Sequence, residues 1–243
     1  MIFVTGDIHG NIDIDKLLPE NFPEGSELTR DDYVIICGDF GLLWEDSDVE
    51  HYWLGWLDSM PWTTLWIDGN HENFDIIADY PVEEWNGGMI QKITDNIFHL
   101  CRGHIFTIED KRIFAFGGAE SHDKEFRIEG QSYWTAELPT EEEIAHGRKV
   151  LDEADWHVDY VITHSLPTDI QADLFGELDF PANRLTDFFE EVSLKLDFKL
   201  WFSGHYHQTL ICDDKFFLLY NDIIRLSDDL LDEITDDTDE LTE

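Results

Sequence analysis

The sequence predicts an α/β fold in which short buried strands alternate with amphipathic helices. Five apolar runs rich in β-branched and aromatic residues are typical of buried strands: Ile2–Val4, Tyr33–Ile36, Leu65–Ile67, Tyr160–Ile162 and Leu200–Phe202. Helical hydrophobic stripes lie between some of these runs. The chain has 243 residues, 42% of them hydrophobic, which suffices for one domain with a sizeable core.

Two capping boxes mark where helices begin. Ser47 and Glu50 form the first, and Thr140 and Glu143 form the second, just ahead of the Tyr160 strand. The stripe after the first box has helical spacing and is expected to face the core: Val49, Tyr52, Trp53, Trp56 and Leu57. Short apolar runs from Met89 to Gly117 predict antiparallel hairpins.

A short polar motif follows each strand-like run. The five motifs are Asp7-Ile8-His9, Gly38-Asp39, Gly69-Asn70-His71-Glu72, Thr163-His164 and Gly204-His205-Tyr206-His207. Because the carboxyl ends of strands in open α/β sheets face the binding crevice, these motifs are expected to converge. Residues two apart in an extended segment point to one side, so Asp7 and His9 can face a common ligand. The glycines fit sharp turns or close backbone approach.

The motifs supply more metal ligands than one ion can use. They offer carboxylate, amide and imidazole groups but no thiolate, which favours two borderline or hard divalent ions over a structural zinc: Asp7, His9, Asp39, Asn70, His164, His205 and His207. Taken singly, His164 or Asn70 would more often be a hydrogen-bonding residue at a strand end. As a set they would be costly to bury without a counter-ion, which indicates a two-metal phosphoesterase.

The order of the motifs, from Asp7 to His207, resembles that of the calcineurin-like metallophosphoesterase superfamily. The resemblance implies a four-layer α/β/β/α sandwich, in which two facing mixed β-sheets are flanked by helices. It implies a bridging water or hydroxide as the nucleophile, and makes His71 the residue that assists the leaving group. It also implies two metal sets that share Asp39, namely Asp7, His9, Asp39 and His207, and Asp39, Asn70, His164 and His205.

One departure separates the chain from the protein phosphatases of that superfamily. Their Gly-Asp-x-x-Asp-Arg motif uses the Asp to orient the catalytic histidine and the Arg to grip phosphate, whereas here Leu42 and Leu43 stand at those positions. Asp46, Glu72 or a backbone carbonyl are the alternatives for orienting His71.

Phosphate therefore needs another cation. The segment 117–127 is similar to one in poorly characterised bacterial and phage members, and Lys124 or Arg127 is expected to reach the substrate together with Asn70. An equal alternative places both cations in a surface ion-pair network.

The chain is strongly acidic, with 55 acidic and 15 basic residues and a formal net charge of −40. Bound Mn²⁺, Fe or Zn²⁺ would reverse that field locally, so a small phosphate ester can enter. A long nucleic acid requires a basic track, which argues against a nuclease that uses the same metals. A catalytically inert metal-binding scaffold is the other alternative.

Composition also predicts how the chain divides into a folded domain and a tail. Residues 1–226 are expected to form the phosphoesterase domain, and the acidic tail 227–243 to fray or remain disordered. Three cysteines without metal-type spacing favour a reduced, cytoplasmic setting, and the sequence shows neither a signal peptide nor a membrane span. Histidines outside the motifs, other than His122, are expected at the surface or on helices: His51, His99, His104, His146 and His157. Natural substrate and oligomeric state are left open.

Overall fold

A computed structural model describes residues 1–176, 178–227 and 230. Its strands are β1 Ile2–Thr5, β2 Tyr33–Ile36, β3 Thr63–Trp66, β4 Val82–Trp85, β5 Gly88–Lys92, β6 Ile97–Leu100, β7 His104–Ile108, β8 Lys111–Phe116, β9 Tyr160–Thr163, β10 Leu200–Ser203, β11 Leu210–Cys212, β12 Phe216–Leu218 and β13 Ile223–Arg225. The α-helices are α1 Asp48–Ser59, α2 Phe74–Ala78, α3 Glu141–Glu153, α4 Thr168–Phe175 and α5 Arg184–Lys195. All five strand-like runs and the predicted hairpins are confirmed.

The strands form two mixed sheets. The first has the order β13-β1-β2-β3-β6-β5-β4, and the second has the order β11-β12-β10-β9-β8-β7. Each is parallel at its centre and antiparallel at its margins, with β1, β2, β3 and β6 parallel in one and β8, β9, β10 and β12 parallel in the other. The carboxyl ends of the parallel strands within each sheet therefore share one edge.

Successive side chains on each strand point alternately to the core between the two sheets and to the helices outside them. On β1, Ile2 and Val4 pack into a core that also contains residues of the second sheet, whereas Phe3 packs outward. The outer face of the first sheet is covered by α1, α2 and the N-terminal segment, and the outer face of the second by α3 and α5. This arrangement confirms the two facing mixed sheets flanked by helices.

Both capping boxes are present, but the buried face of α1 differs from the predicted stripe. Leu57 is buried, whereas Val49 is 50% and Tyr52 65% exposed. The carboxylate of Glu50 turns inward to accept hydrogen bonds from the amides of Trp44 and Ser47, so the buried face centres on Glu50 and Leu57. The prediction for Val49 and Tyr52 was wrong because a capping residue took the inward position.

The last described strand, β13, ends at Arg225, which pairs with Phe3 on β1. Leu230 is buried in the core between the sheets. The rest of the acidic tail lies outside the described residues, so its disorder stays a prediction. In the described part of the chain, every helix is too short or too polar to cross a bilayer. Cys37, Cys101 and Cys212 are free thiols.

Candidate metal centre

The polar motifs converge where the carboxyl ends of β1, β2, β3, β9 and β10 meet. We call the seven residues that meet there the Asp39 cluster: Asp7, His9, Asp39, Asn70, His164, His205 and His207. Two strands of one sheet and three of the other contribute to it, so only the packing of the sheets brings it together. Asp7, Asp39 and His164 are at most 1% exposed.

One half of the cluster has the geometry of a metal site. Ligand atoms of Asp7, His9, Asp39 and His207 all lie within 4.8 Å of one another. Nε2 of His9 is 3.1 Å from Oδ2 of Asp39, and Nε2 of His207 is 3.3 Å from Oδ2 of Asp7. Two carboxylates and two imidazoles at this spacing can hold one divalent ion.

The other half is marked by buried polar atoms that lack partners. Oδ1 of Asn70 and Nε2 of His164 are both buried and have no hydrogen bond to any described residue. Nε2 of His164 lies 3.2 Å from Oδ1 of Asp39, yet the two atoms are not aligned as donor and acceptor. The His205 ring is centred 5.0 Å from the His164 ring. Orphaned buried acceptors and imidazoles are unusual, and a cation would satisfy them.

Asp39 lies between the two halves. Its Oδ1 accepts hydrogen bonds from the backbone amides of Asn70, at 2.9 Å, and His71, at 2.8 Å. Its Oδ2 faces His9. Each oxygen is thus directed to a different half, which fits a carboxylate shared by two ions.

The buried carboxylates of the cluster draw protons to His9 and His164, whereas burial lowers the pKa of His205 well below its ordinary value. Burial alone would lower the pKa of His164, but Asp39 and Asp7 outweigh it and raise that pKa to about 10. Burial also opposes the charge on His9, yet Asp39, Asp7 and Asp13 raise its pKa to about 9. Burial would raise the pKa of Asp39, whereas His164 and His9 hold it well below its ordinary value. A centre that draws protons so strongly suits divalent cations, which would displace them.

The backbone of the site is held in unusual conformations. Four cluster residues have left-handed φ: His9 at 43°, Asp39 at 49°, His205 at 72° and His207 at 50°. Such conformations are costly for non-glycine residues and concentrate at functional sites.

The motif glycines allow the cluster to close. Gly38 has φ of 95°, and a Cβ there would lie 2.2 Å from the His164 ring. At Gly69 a Cβ would lie 2.1 Å from Oδ1 of Asp39. At Gly6 and Gly204 it would lie within 2.0 Å of a neighbouring oxygen. The predicted close approach is confirmed at all four positions.

His71 lies at the rim of the cluster. Its ring is centred 5.2 Å from the His9 ring and 6.5 Å from the Trp44 ring. Burial lowers its pKa, against the opposing pull of Asp39. In the part of the chain that the structure describes, the imidazole has no hydrogen-bond partner.

Two of the three groups considered for orienting His71 have other roles. Glu72 accepts hydrogen bonds from the amides of Phe40 and Gly41, and Asp46 pairs with His51. Glu72 therefore stabilises the backbone and Asp46 forms a surface ion pair, so neither carboxylate orients His71.

The two predicted substrate cations differ in position. Nη1 of Arg127 lies 3.3 Å from Oγ of Ser121, and Nδ2 of Asn70 lies 3.4 Å from the same oxygen. Arg127 is therefore linked to the cluster through one hydroxyl, while Nε of Arg127 pairs with Asp123 at 2.6 Å. Lys124 pairs with Glu120 and is half exposed, on the rim of a cavity of about 400 Å³ next to His205.

A second buried polar group, which we call the Asp68 cluster, consists of Asp68, His99 and Arg102. Nε of Arg102 donates to Oδ2 of Asp68 at 2.8 Å, and Nε2 of His99 lies 3.2 Å from Oδ1. Burial would raise the pKa of Asp68, but Arg102 and His99 hold it at about 2. His99, expected at the surface, is buried on β6 instead.

Sequence reasoning missed several residues that contact the Asp39 cluster. Asp13, Lys16 and Tyr220 each touch a cluster residue or its backbone, and Ser121 contacts Asn70. Asp13, Lys16 and Tyr220 belong to no recognisable motif, and Ser121 was given no role of its own within the segment 117–127. Tyr220 is 207 positions from Asp13 and 204 from Lys16 in the sequence, but it follows β12 and lies beside Gly6, next to the Asp7 motif. Only the fold reveals these contacts.

One family model and several solved structures match the chain. The family model described as calcineurin-like phosphoesterase matches residues 1–209. Among solved structures, a phosphopantetheinyl hydrolase from Mycobacterium tuberculosis is 18% identical, with a TM-score of 0.47, covering 90% of this chain and 89% of that one. A structure from Staphylococcus aureus named as a 5′-nucleotidase is 15% identical, with a TM-score of 0.46, covering 93% of this chain and 51% of that one.

No curated protein matches the chain significantly. The family match extends over all five motifs, from Asp7 to His207. The chain belongs to the calcineurin-like phosphoesterases and is a metal-dependent phosphoesterase.

Proposed function

We propose that this chain hydrolyses small phosphate mono- or diesters with two divalent ions that share Asp39. One ion would be held by Asp7, His9, Asp39 and His207, and the other by Asp39, Asn70, His164 and His205. The observation that carries the proposal is the pair of orphaned atoms, Oδ1 of Asn70 and Nε2 of His164, buried beside Asp39. A second cation is the simplest way to satisfy them.

When bound, two such ions supply Lewis acidity, an activated water or hydroxide as nucleophile, and charge neutralisation. Mn²⁺, Fe and Zn²⁺ all suit ligands made of Asp, His and Asn, so supply rather than affinity would select among them. The amides of Asn70 and His71 fix the Asp39 carboxylate, so the shared ligand is oriented in advance.

His71 would assist the leaving group. Its ring lies beside His9 but outside both ligand sets, within reach of a phosphoryl group held over the cluster. Burial lowers its pKa, so the neutral and protonated forms exchange readily on the acid side of neutrality. The half-buried Trp44 flanks the ring and limits how far it can turn.

Arg127 is the better supported of the two phosphate-binding cations. Its side chain is 17% exposed, and its guanidinium shares Ser121 with Asn70, which places a positive charge beside the second ligand set. Lys124 would act at the cavity mouth, where the remainder of the ester can lie against Ser121 and His122.

Rates on an aryl phosphate and on a bis-aryl phosphate, measured with each metal, test the proposal. We expect hydrolysis that depends on added metal, with the preferred ester identifying a monoesterase or a diesterase. Bound ions without turnover of either ester would overturn the proposal in favour of an inert metal-binding scaffold.

A further inference from the structure

We propose that Asp13 and Tyr220 are positioning residues that fix the two histidines of one ligand set and so set the affinity for the ion held there. The inference rests on the proposed function and extends it to side chains outside the five motifs. It assigns a task to the segment after β12, which the motifs do not reach.

Asp13 fixes the orientation of His9. Its Oδ2 lies 2.7 Å from Nδ1 of His9, while Nε2 of the same ring faces Asp39. A carboxylate that accepts from Nδ1–H leaves the Nε2 lone pair free for a metal and makes it more basic. Asp13 is 18% exposed, so the contact is partly shielded from water.

Tyr220 connects this arrangement to His207. Its phenol donates to Oδ1 of Asp13 at 3.2 Å, and its ring stacks on the His207 ring with centroids 4.9 Å apart and planes 20° from parallel. One side chain thus braces both histidines of the set, the first through Asp13 and the second by direct contact. His164 and His205 have no contact of this kind with Tyr220 among the described residues.

Lys16 anchors Tyr220 beside the cluster. Its buried ammonium donates to the carbonyl oxygens of Asp7 and Tyr220, and lies 4.9 Å from the centre of the Tyr220 ring. The carbonyl of Asp7 is thereby tied to the backbone of Tyr220. The Tyr220 segment is therefore held by contacts with the Asp7 motif as well as by β12 and β13, which flank it.

The test is calorimetric titration of Mn²⁺ into metal-stripped protein. The wild-type chain is expected to bind two ions. Asp13→Asn is expected to weaken one of them about 10- to 100-fold and leave the other unchanged. Tyr220→Phe keeps the stack but loses the hydroxyl, so it should weaken the same ion by about threefold to tenfold.

Asp15→Asn is the matched control. Asp15 is exposed on the same short helix as Lys16 and changes charge by the same amount, so both ions should bind it as they bind the wild type. Asp13→Asn and Tyr220→Phe each lose one hydrogen bond, so the melting temperature of either metal-free variant should fall by no more than about 6 °C. The selective weakening of one ion is the readout that a merely structural role would not give.

The outcomes are distinguishable. Equal weakening of both ions, or no weakening by Asp13→Asn, would overturn the positioning inference while the wild type still binds two ions. A wild-type protein that binds no Mn²⁺ would overturn the proposed function and this inference with it.

Discussion

The Asp39 cluster and the Asp68 cluster meet just after β3, where Asp68 belongs to one and Asn70 to the other. Each cluster buries a carboxylate. Asp68 is 2% exposed and Asp39 is 1% exposed. Asp68 is neutralised by the guanidinium of Arg102, whereas the described groups that contact the Asp39 carboxylate are backbone amides and imidazoles. A carboxylate paired with an arginine does not bind a further cation, because the arginine stays charged. A carboxylate surrounded by imidazoles can still bind a metal ion, because imidazoles lose their protons when the metal binds.

The two clusters show that a buried carboxylate can serve either the fold or a reaction. Arg102 also donates to the carbonyl oxygen of Ala136 at 2.8 Å, so the Asp68 cluster ties three chain segments together. The Asp39 cluster instead contains orphaned atoms and left-handed backbone, which stabilise nothing by themselves. Burial alone therefore does not identify a site, whereas two unsatisfied buried atoms beside one buried carboxylate point to one.

The largest effect is expected from Asp39→Asn. Both ions would lose a charged ligand, so kcat/KM should fall on the order of 10⁴-fold, and metal content should drop below two ions per chain. Steady-state kinetics and metal analysis of the same sample measure both. An Asp39→Asn enzyme that keeps two ions and near-normal activity would contradict the shared ligand.

Asp68→Asn should act on stability instead. It removes the buried carboxylate that pairs with Arg102 and leaves only the partly exposed Glu143, 3.6 Å away, as a charge partner among the described residues. The free energy of unfolding should therefore fall by about 3–5 kcal/mol. Denaturant unfolding of the metal-free protein measures it, while folded Asp68→Asn should still bind two ions. Asp95→Asn is the control, because Asp95 pairs with Lys92 at 96% exposure and its loss should leave the free energy of unfolding nearly unchanged.

His71→Asn should remove catalysis without removing metal. Loss of a general acid is expected to lower kcat for an aryl phosphate about 100-fold, with two ions retained. His51→Asn, at an exposed histidine paired with Asp46, should leave kcat unchanged. If His71→Asn reduced metal content as well, His71 would belong to a ligand set rather than to the leaving-group side.

The smallest effect concerns acid stability. The pKa of Asp68 is held at about 2, below its ordinary value, so its stabilisation is complete above about pH 4 and is lost as the pH falls through about 2. The difference in unfolding free energy between wild type and Asp68→Asn should therefore shrink by about 2 kcal/mol over that range. Denaturant titrations of both proteins at each pH measure it, and a constant difference would show that Asp68 is not charge-stabilised.

Much of the site was predictable because local signals mark it. Each motif follows an apolar run and carries a glycine or a short polar turn, and parallel strands bring their ends together. The Asp68 cluster has no such signal, since Asp68 and Arg102 meet only because β3 pairs with β6 rather than with the intervening β4 or β5. Strand order is a tertiary property that periodicity does not encode.

The same distinction applies to side-chain direction. The capping box correctly placed the start of α1, and Trp53, Trp56 and Leu57 of the predicted stripe pack against the core. Val49 and Tyr52 are exposed instead, on the turn where Glu50 points inward. Tyr220 reaches Asp13 across 207 positions, and no local pattern predicts such a contact. Signals confined to one turn or one strand were reliable, and those that depend on neighbouring layers were not.

Anomalous diffraction from crystals soaked in Mn²⁺ would show directly whether the Asp39 cluster binds two cations. We expect two peaks roughly 3.5–4 Å apart, both bound to the Asp39 carboxylate and neither near Asp68. A single peak away from Asp39, or none at saturating Mn²⁺, would contradict a binuclear centre built on that residue.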